Sequence, residues 1–161
     1  MKLERKALAH YLDSSFGGKD PAWFLIGADI EELAVELNPD VESVENILGQ
    51  TSVRDNGYEP SMTAEPYYAN TEDAIYAPIR DIAMMRKKGD ACKSKILEVI
   101  IEETEAGPHL AFQEDVIVKP TSYGGGTEGV AIPFDVHFAG NRVKGTVTIA
   151  NGVPTFTPDA A

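Results

Sequence analysis

The chain has 161 residues, 43% of them apolar, enough for one domain with a packed core, and no run approaches the roughly 20 consecutive apolar residues of a membrane span. Its formal charge of −12 argues against tight nucleic-acid binding, because such affinity comes largely from Lys and Arg neutralising phosphates. A single cysteine, Cys92, excludes an internal disulfide and a cysteine-rich zinc site, so stability has to come from packing or from neighbours. The start, Met1 to Lys6, leads into no long apolar run of the signal-peptide kind, and the expectation is a protein made and kept soluble in a cytoplasm.

Residues 1–20 carry few large apolar side chains and run into the turn formers Gly17, Gly18, Lys19, Asp20 and Pro21, which predicts a loose N-terminal arm joined to a single domain over 1–161. Trp23 to Ile26 is a short apolar strand. In Glu31 to Leu37 the apolar Leu33, Val35 and Leu37 alternate with Glu32, Ala34 and Glu36, the period of a half-buried strand that turns Glu32 and Glu36 away from the core. Residues 38–68 read as an extended loop and hairpin. Val44, Ile47 and Leu48 give Val41 to Leu48 a brief helical spacing, and Asp55, Asn56 and Gly57 supply a tight turn between Gln50–Arg54 and Tyr58–Tyr68. Acid is concentrated here: from Asp29 to Glu59 nine carboxylates stand against Arg54 alone, leaving −8 of the −12 in one segment.

A helix is predicted over 70–89, with Ile75, Ile79, Ile82 and Met85 on one face, Arg86, Lys87 and Lys88 in the last turn and Gly89 as its left-handed cap. Pro78 disfavours a helix interior, so the regular helix starts near Pro78 if an irregular turn precedes it. Residues 93–157 read as a meander of five strands. The turns fall at Glu105–Pro108, Gly124–Gly126, Gly140–Asn141 and Asn151–Gly152, and Val130, Ile132, Phe134, Val136 and Phe138 form the buried face of the third strand.

No catalytic constellation is present. The Gly124–Gly126 run lacks the Lys and the following helix of a phosphate loop, and His10, His109 and His137 have no i, i+4 pairing for a metal. Carboxylates such as Glu102, Glu103 and Glu105 read as a solvated strand end, and Cys92 as a small buried side chain. Neither an enzyme nor a cofactor is expected.

Several phrases, taken in order, resemble the bacteriophage tail tube (major tail) protein family. They are Asn46–Gly57 (NILGQTSVRDNG), Tyr58–Tyr68 (YEPSMTAEPYY), Arg86–Asp90 (RKKGD), Gly124–Phe138 (GGGTEGVAIPFDVHF) and Gly140–Thr148 (GNRVKGTVT). The resemblance implies a mainly β fold, a β-sandwich or barrel-like domain with one flanking helix and a long hairpin. It implies six copies closing into rings that stack as a hollow tube in the virion tail, assembled in the host bacterial cytoplasm, with DNA passing through the lumen without tight binding. Tape measure and tail terminator proteins are the partners so implied. Glu32 and Glu36 become lumen-facing acids, and Asp40, Glu42, Glu45, Asp55, Asn56, Gly57 and Tyr58 an inter-subunit segment. Two alternatives stay open: the inner tube of a contractile bacteriocin or injection particle, and a monomeric ligand-binding β-sandwich.

Overall fold

A computed structural model describes residues 2–102 and 108–159. The fold is mainly β with one α-helix, its principal sheet curled into a half-barrel. After a 3-10 turn at Arg5–Ala7, the strands are β1 (Leu8–Asp13), β2 (Trp23–Ile26), β3 (Val35–Glu36), β4 (Pro39–Glu45), β5 (Thr51–Tyr58) and β6 (Ser61–Ala64). Helix α1 (Tyr76–Met85) and a 3-10 turn at Gly89–Cys92 lead to β7 (Lys93–Ile100), β8 (His109–Pro120), β9 (Phe134–Ala150) and β10 (Val153–Pro158). Eight strands form an antiparallel sheet in the order β2-β1-β7-β8-β9-β6-β3, with β10 also pairing the far half of β9; β4 and β5 form a separate two-stranded ribbon.

The segment expected to be a loose arm is instead an inner strand. β1 lies between β2 and β7, with Leu12 opposite Phe24 on one side and Ile96 on the other. Its burial includes polar groups that composition does not flag: Asp13 is 2% exposed, and its Oδ1 accepts hydrogen bonds from the Ser15 amide and hydroxyl and the Ala22 amide at 2.9, 2.6 and 3.0 Å. A buried carboxylate with three donors is satisfied, so the tight turn out of β1 costs little.

Alternation along the strands builds two apolar clusters on opposite faces of the sheet. One gathers Leu12, Ile26, Met62, Ile96, Val116, Val118, Phe134 and Val136 beneath Ile75 and Ile79 of the helical segment; the other joins Tyr11, Leu97, Val99, Ala111 and Val147, covered in part by Trp23 and Phe156. Gly145 belongs to this second layer because an added Cβ would collide with the carbonyl oxygen of Thr157 and come within 2.7 Å of the Phe156 ring. A glycine there leaves room for the end of β10 to pair closely beside β9.

Helix α1 is shorter than 70–89. It begins at Tyr76, which puts Pro78 in the first turn, where its missing N–H is not needed. It ends at Arg86, which takes the left-handed conformation (φ 53°), while the Lys87 amide donates to the Ile82 carbonyl at 3.1 Å. Met85 lies beyond the buried stripe and is 72% exposed.

One helix and two turn assignments are corrected. Val41–Leu48 is not helical: residues 41–45 lie in β4, and the hairpin turns at residues 46–50, not at Asp55–Gly57. Asp55, Asn56 and Gly57 lie within β5, where Gly57 (φ 92°) supports a bulge opposite Asp40. Gly140 and Asn141 likewise do not end a strand, because β9 runs through them and they form an irregularity opposite Gln113–Val116. Four strands therefore follow α1 instead of five. The turn at Asn151–Gly152 is present, Gly124–Gly126 lie in the irregular connection between β8 and β9, and Glu105–Gly107 of the expected turn at 105–108 fall outside the described residues.

Candidate assembly surface

The β4–β5 ribbon is built from its turn upward. The Asn46 side chain organises the tip: its Oδ1 accepts the amides of Leu48 and Gln50 at 2.9 and 3.0 Å, and its Nδ2 donates to Gln50 Oε1 at 2.9 Å. Gly49 takes the positive φ (77°) that closes the turn. This bonding fixes two apolar side chains in water, Ile47 fully exposed and Leu48 at 76%. Along the ribbon, Glu42 and Arg54 pair at 3.1 Å across the strands, a solvated contact worth about 0–1 kcal/mol. At the base, Asn38 Nδ2 donates to the Glu59 carbonyl at 3.0 Å, and the Glu59 amide donates to the Leu37 carbonyl at 3.1 Å.

Of the acids and turn residues expected at a subunit contact, Asp40, Glu42, Glu45, Asp55, Asn56 and Tyr58 are all exposed on this ribbon, and Gly57 is half-buried at its bulge. A two-stranded ribbon with so little of its own apolar surface covered is marginal alone in water. Val41 and Val53 are 57% and 73% exposed.

Glu32 and Glu36 are exposed as well, but not on a seven-residue strand. Only Val35–Glu36 pairs with β6, at Met62 and Ser61. Leu33 and Val35 pack against the first cluster, whereas Leu37, expected in the core, is 53% exposed. Ahead of the paired residues, Arg5 Nη2 donates to the Leu33 carbonyl at 3.1 Å, so a side chain and not a strand partner meets that group.

A charge network escaped sequence reading. His10 on β1 approaches Glu98 on β7 (Nε2 to Oε2, 3.2 Å). Arg142 Nη1 on β9 donates to Glu98 Oε1 at 2.7 Å and to Glu114 Oε1 on β8 at 3.0 Å, while Glu114 Oε2 accepts the Gly140 amide. Arg142 also stacks over Phe112, 4.7 Å from the ring centroid. His10 is 2% exposed and its Nδ1 has no partner among the described residues. The available signal was a carboxylate at an inward position of each of two apolar strands, Glu98 and Glu114, but the cation that joins them is far away in sequence. Burial by itself would raise the Glu98 carboxyl; hydrogen bonds from His10 and Arg142, with their charges, outweigh it and hold the group below its ordinary value of 4.5. Stability from such a group is complete above its unfolded pKa and is lost as pH falls through the lower folded value. Glu98→Gln should therefore cost about 1–2 kcal/mol at neutral pH, with the gap to the parent chain narrowing as urea unfolding is repeated below pH 4.5. A gap independent of pH would show that the carboxylate charge is not what the network holds.

Among the described residues no group of three or more His, Cys, Asp or Glu side chains is arranged to hold a metal ion, and no helix is long and apolar enough to cross a membrane. Cys92 is buried, 3.3 Å from the Lys87 carbonyl oxygen.

The half-barrel sheet with one flanking helix and a projecting ribbon matches solved tail structures. The SPP1 tail tube aligns over 89% of this chain and 78% of its own, with a TM-score of 0.61 at 16% identity. This is the tail tube fold. The tail of an empty GTA particle, solved with C6 symmetry, shares it over 97% of this chain and 99% of its own (TM-score 0.57, 15% identity). So does the tube-terminating cap of an anti-feeding prophage, over 91% and 92% (TM-score 0.52, 15% identity). No protein-family model and no curated protein matches the sequence. The tail tube fold is therefore carried here by a sequence that shares about one residue in six with these structures.

Proposed function

We propose that this chain is a structural subunit of a phage tail that assembles with copies of itself into sixfold rings, stacked as a hollow tube through which DNA is delivered. The observation that carries the reading is the β4–β5 ribbon, which on a tail tube fold presents Ile47, Leu48, Val41 and Val53 to water with nothing among the described residues to cover them. Sixfold symmetry is that of the GTA tail. The edges of β2 and β3, which have no strand partner on one side among the described residues, add backbone groups that a ring would close. Tape measure and terminator proteins are the other partners that a tube of fixed length requires.

In this reading Glu32 and Glu36 face the lumen. Repeated around a ring, each exposed acid becomes a circle of negative charge that keeps phosphate from adhering during passage. The same tube could serve an injection particle, a reading favoured by the anti-feeding prophage cap. Electron microscopy of the purified chain tests the proposal. Rings or tubes with both carboxylates lining the channel are expected, and Glu32→Lys with Glu36→Lys should leave assembly intact while slowing DNA transit. A monomer that persists at high concentration in both low and high salt would overturn the assembly reading. Tubes with these two side chains on the outside would overturn only the lumen assignment.

A further inference from the structure

One patch on the body of the subunit has the opposite chemistry to the ribbon. At the end of α1, Met84 and Met85 are 54% and 72% exposed. They are followed by Arg86, Lys87 and Lys88 and, after the 3-10 turn, by Lys93 and Lys95. These five cations against Asp90 give residues 84–95 a net +4 in a chain of −12. Asp90 pairs with Lys93 at 2.9 Å and Asp115 stands opposite Lys95 across the strands, but Arg86 and Lys88 are exposed with no carboxylate partner among the described residues. The ribbon residues 39–58 carry Asp40, Glu42, Glu45 and Asp55 against Arg54, a net −3, around the exposed Ile47 and Leu48. Each surface thus has an apolar pair flanked by charge, and the signs are opposite.

Their placement makes the match one between molecules. The ribbon joins β6 at its Ser61 end, through Glu59 and Pro60. The basic patch adjoins the other end of that register, where Ala64 faces Phe134, Phe134 faces Pro120, and Lys119 Nζ reaches the Lys87 carbonyl at 2.9 Å. Within the chain no ion pair joins ribbon to patch among the described residues. We infer that the tip of the β4–β5 ribbon of one copy docks on the Met84–Lys88 patch of the next. The contact is head-to-tail, so each copy offers one surface and receives the other, as a ring or a stack requires. Methionine suits the receiving side because its unbranched thioether adapts to an irregular knob. The flanking charges set orientation and speed of encounter more than strength, so this contact should weaken with salt. The inference rests on the self-assembly proposed above and names the two surfaces that meet.

Charge exchange tests it with the full chain. Asp40→Lys with Glu45→Lys takes residues 39–58 from −3 to +1, so ribbon and patch are both basic; Arg86→Glu, Lys87→Glu and Lys88→Glu together take residues 84–95 from +4 to −2, so both are acidic. Each variant alone should need about tenfold or more protein to assemble. An equimolar mixture should assemble like the parent, because only mixed contacts then pair opposite charges. Leu48→Cys with Met85→Cys in one chain should give a ladder of disulfide-linked oligomers on mild oxidation. If the parent assembles and each charge variant assembles as well as it does, or the variants fail both alone and mixed, or no ladder forms, the docking is wrong while self-assembly stands. A parent that never assembles removes the self-assembly reading itself.

Discussion

Replacing Ile47 and Leu48 together by Asp is expected to raise the concentration needed for assembly by more than about a hundredfold while moving the melting temperature of the monomer by no more than about 2 °C. Both side chains stand in water, so the isolated subunit loses no packing when they change. In a contact each apolar side chain contributes about 1.5–3 kcal/mol on burial, and a carboxylate in its place has to be desolvated as well. The Asn46 bonds that shape the turn use Leu48 only through its backbone amide, so the substitutions leave that geometry available. Sedimentation velocity over a concentration series measures the effect. Assembly by the double variant at the parent's concentration would show that the tip is not part of the contact.

The largest effect on the subunit itself is expected at Phe134. Its side chain is 1% exposed, sits opposite both Ala64 and Pro120, and meets Tyr67 edge-on with centroids 5.8 Å apart and planes at 77°. Tyr67 in turn meets Phe24 of β2 at 6.5 Å, so these rings link β2, at one end of the sheet order, to β9 across the first cluster. Phe134→Ala should cost about 3–5 kcal/mol, combining lost transfer energy with the cavity left among rigid neighbours. That is a large share of the roughly 5–15 kcal/mol typical of a domain, and urea unfolding should show it as a lower midpoint at unchanged slope. A loss below about 1 kcal/mol would mean that the strands around Phe134 close over the gap.

The mainly β character, the strand at Trp23–Ile26, the buried face of Ile132, Phe134 and Val136 and the helix stripe of Ile75, Ile79 and Ile82 were legible because each buries side chains at a regular period. What misled was positive φ. Asp55–Asn56–Gly57 and Gly140–Asn141 have the residues of tight turns, yet here they bend continuing strands. The same backbone conformation serves a turn or a bulge, and only the partner strand decides which. At Asn141 that partner is Asp115, whose Oδ2 accepts from the Asn141 side chain at 2.8 Å. The true hairpin turn was hidden because Ile47 and Leu48 occupy it, and apolar residues in a turn read as core until the chain is seen to leave them in water. β1 was missed for the converse reason: His10, Asp13 and Ser14 are polar but buried, and the groups that satisfy them, such as Glu98 and Ala22, cannot be inferred from local sequence. The ribbon's residues are neighbours in sequence and could be grouped from it; the His10–Glu98–Arg142–Glu114 network could not, because it exists only once β1, β7, β8 and β9 lie side by side.

The inner position of β1 also fixes an order of events during synthesis. His10 must wait for Glu98, 88 residues later, before its side of the sheet can close. Such distant pairing is slow, whereas a ribbon whose strands are neighbours in sequence forms in about 1–10 μs. The exposed apolar tip therefore leaves the ribosome well before the body that will carry it exists. Its carboxylates then act as gatekeepers: nascent chains bearing the same negative segment repel one another, which keeps their exposed apolar tips apart while the body is still unfolded.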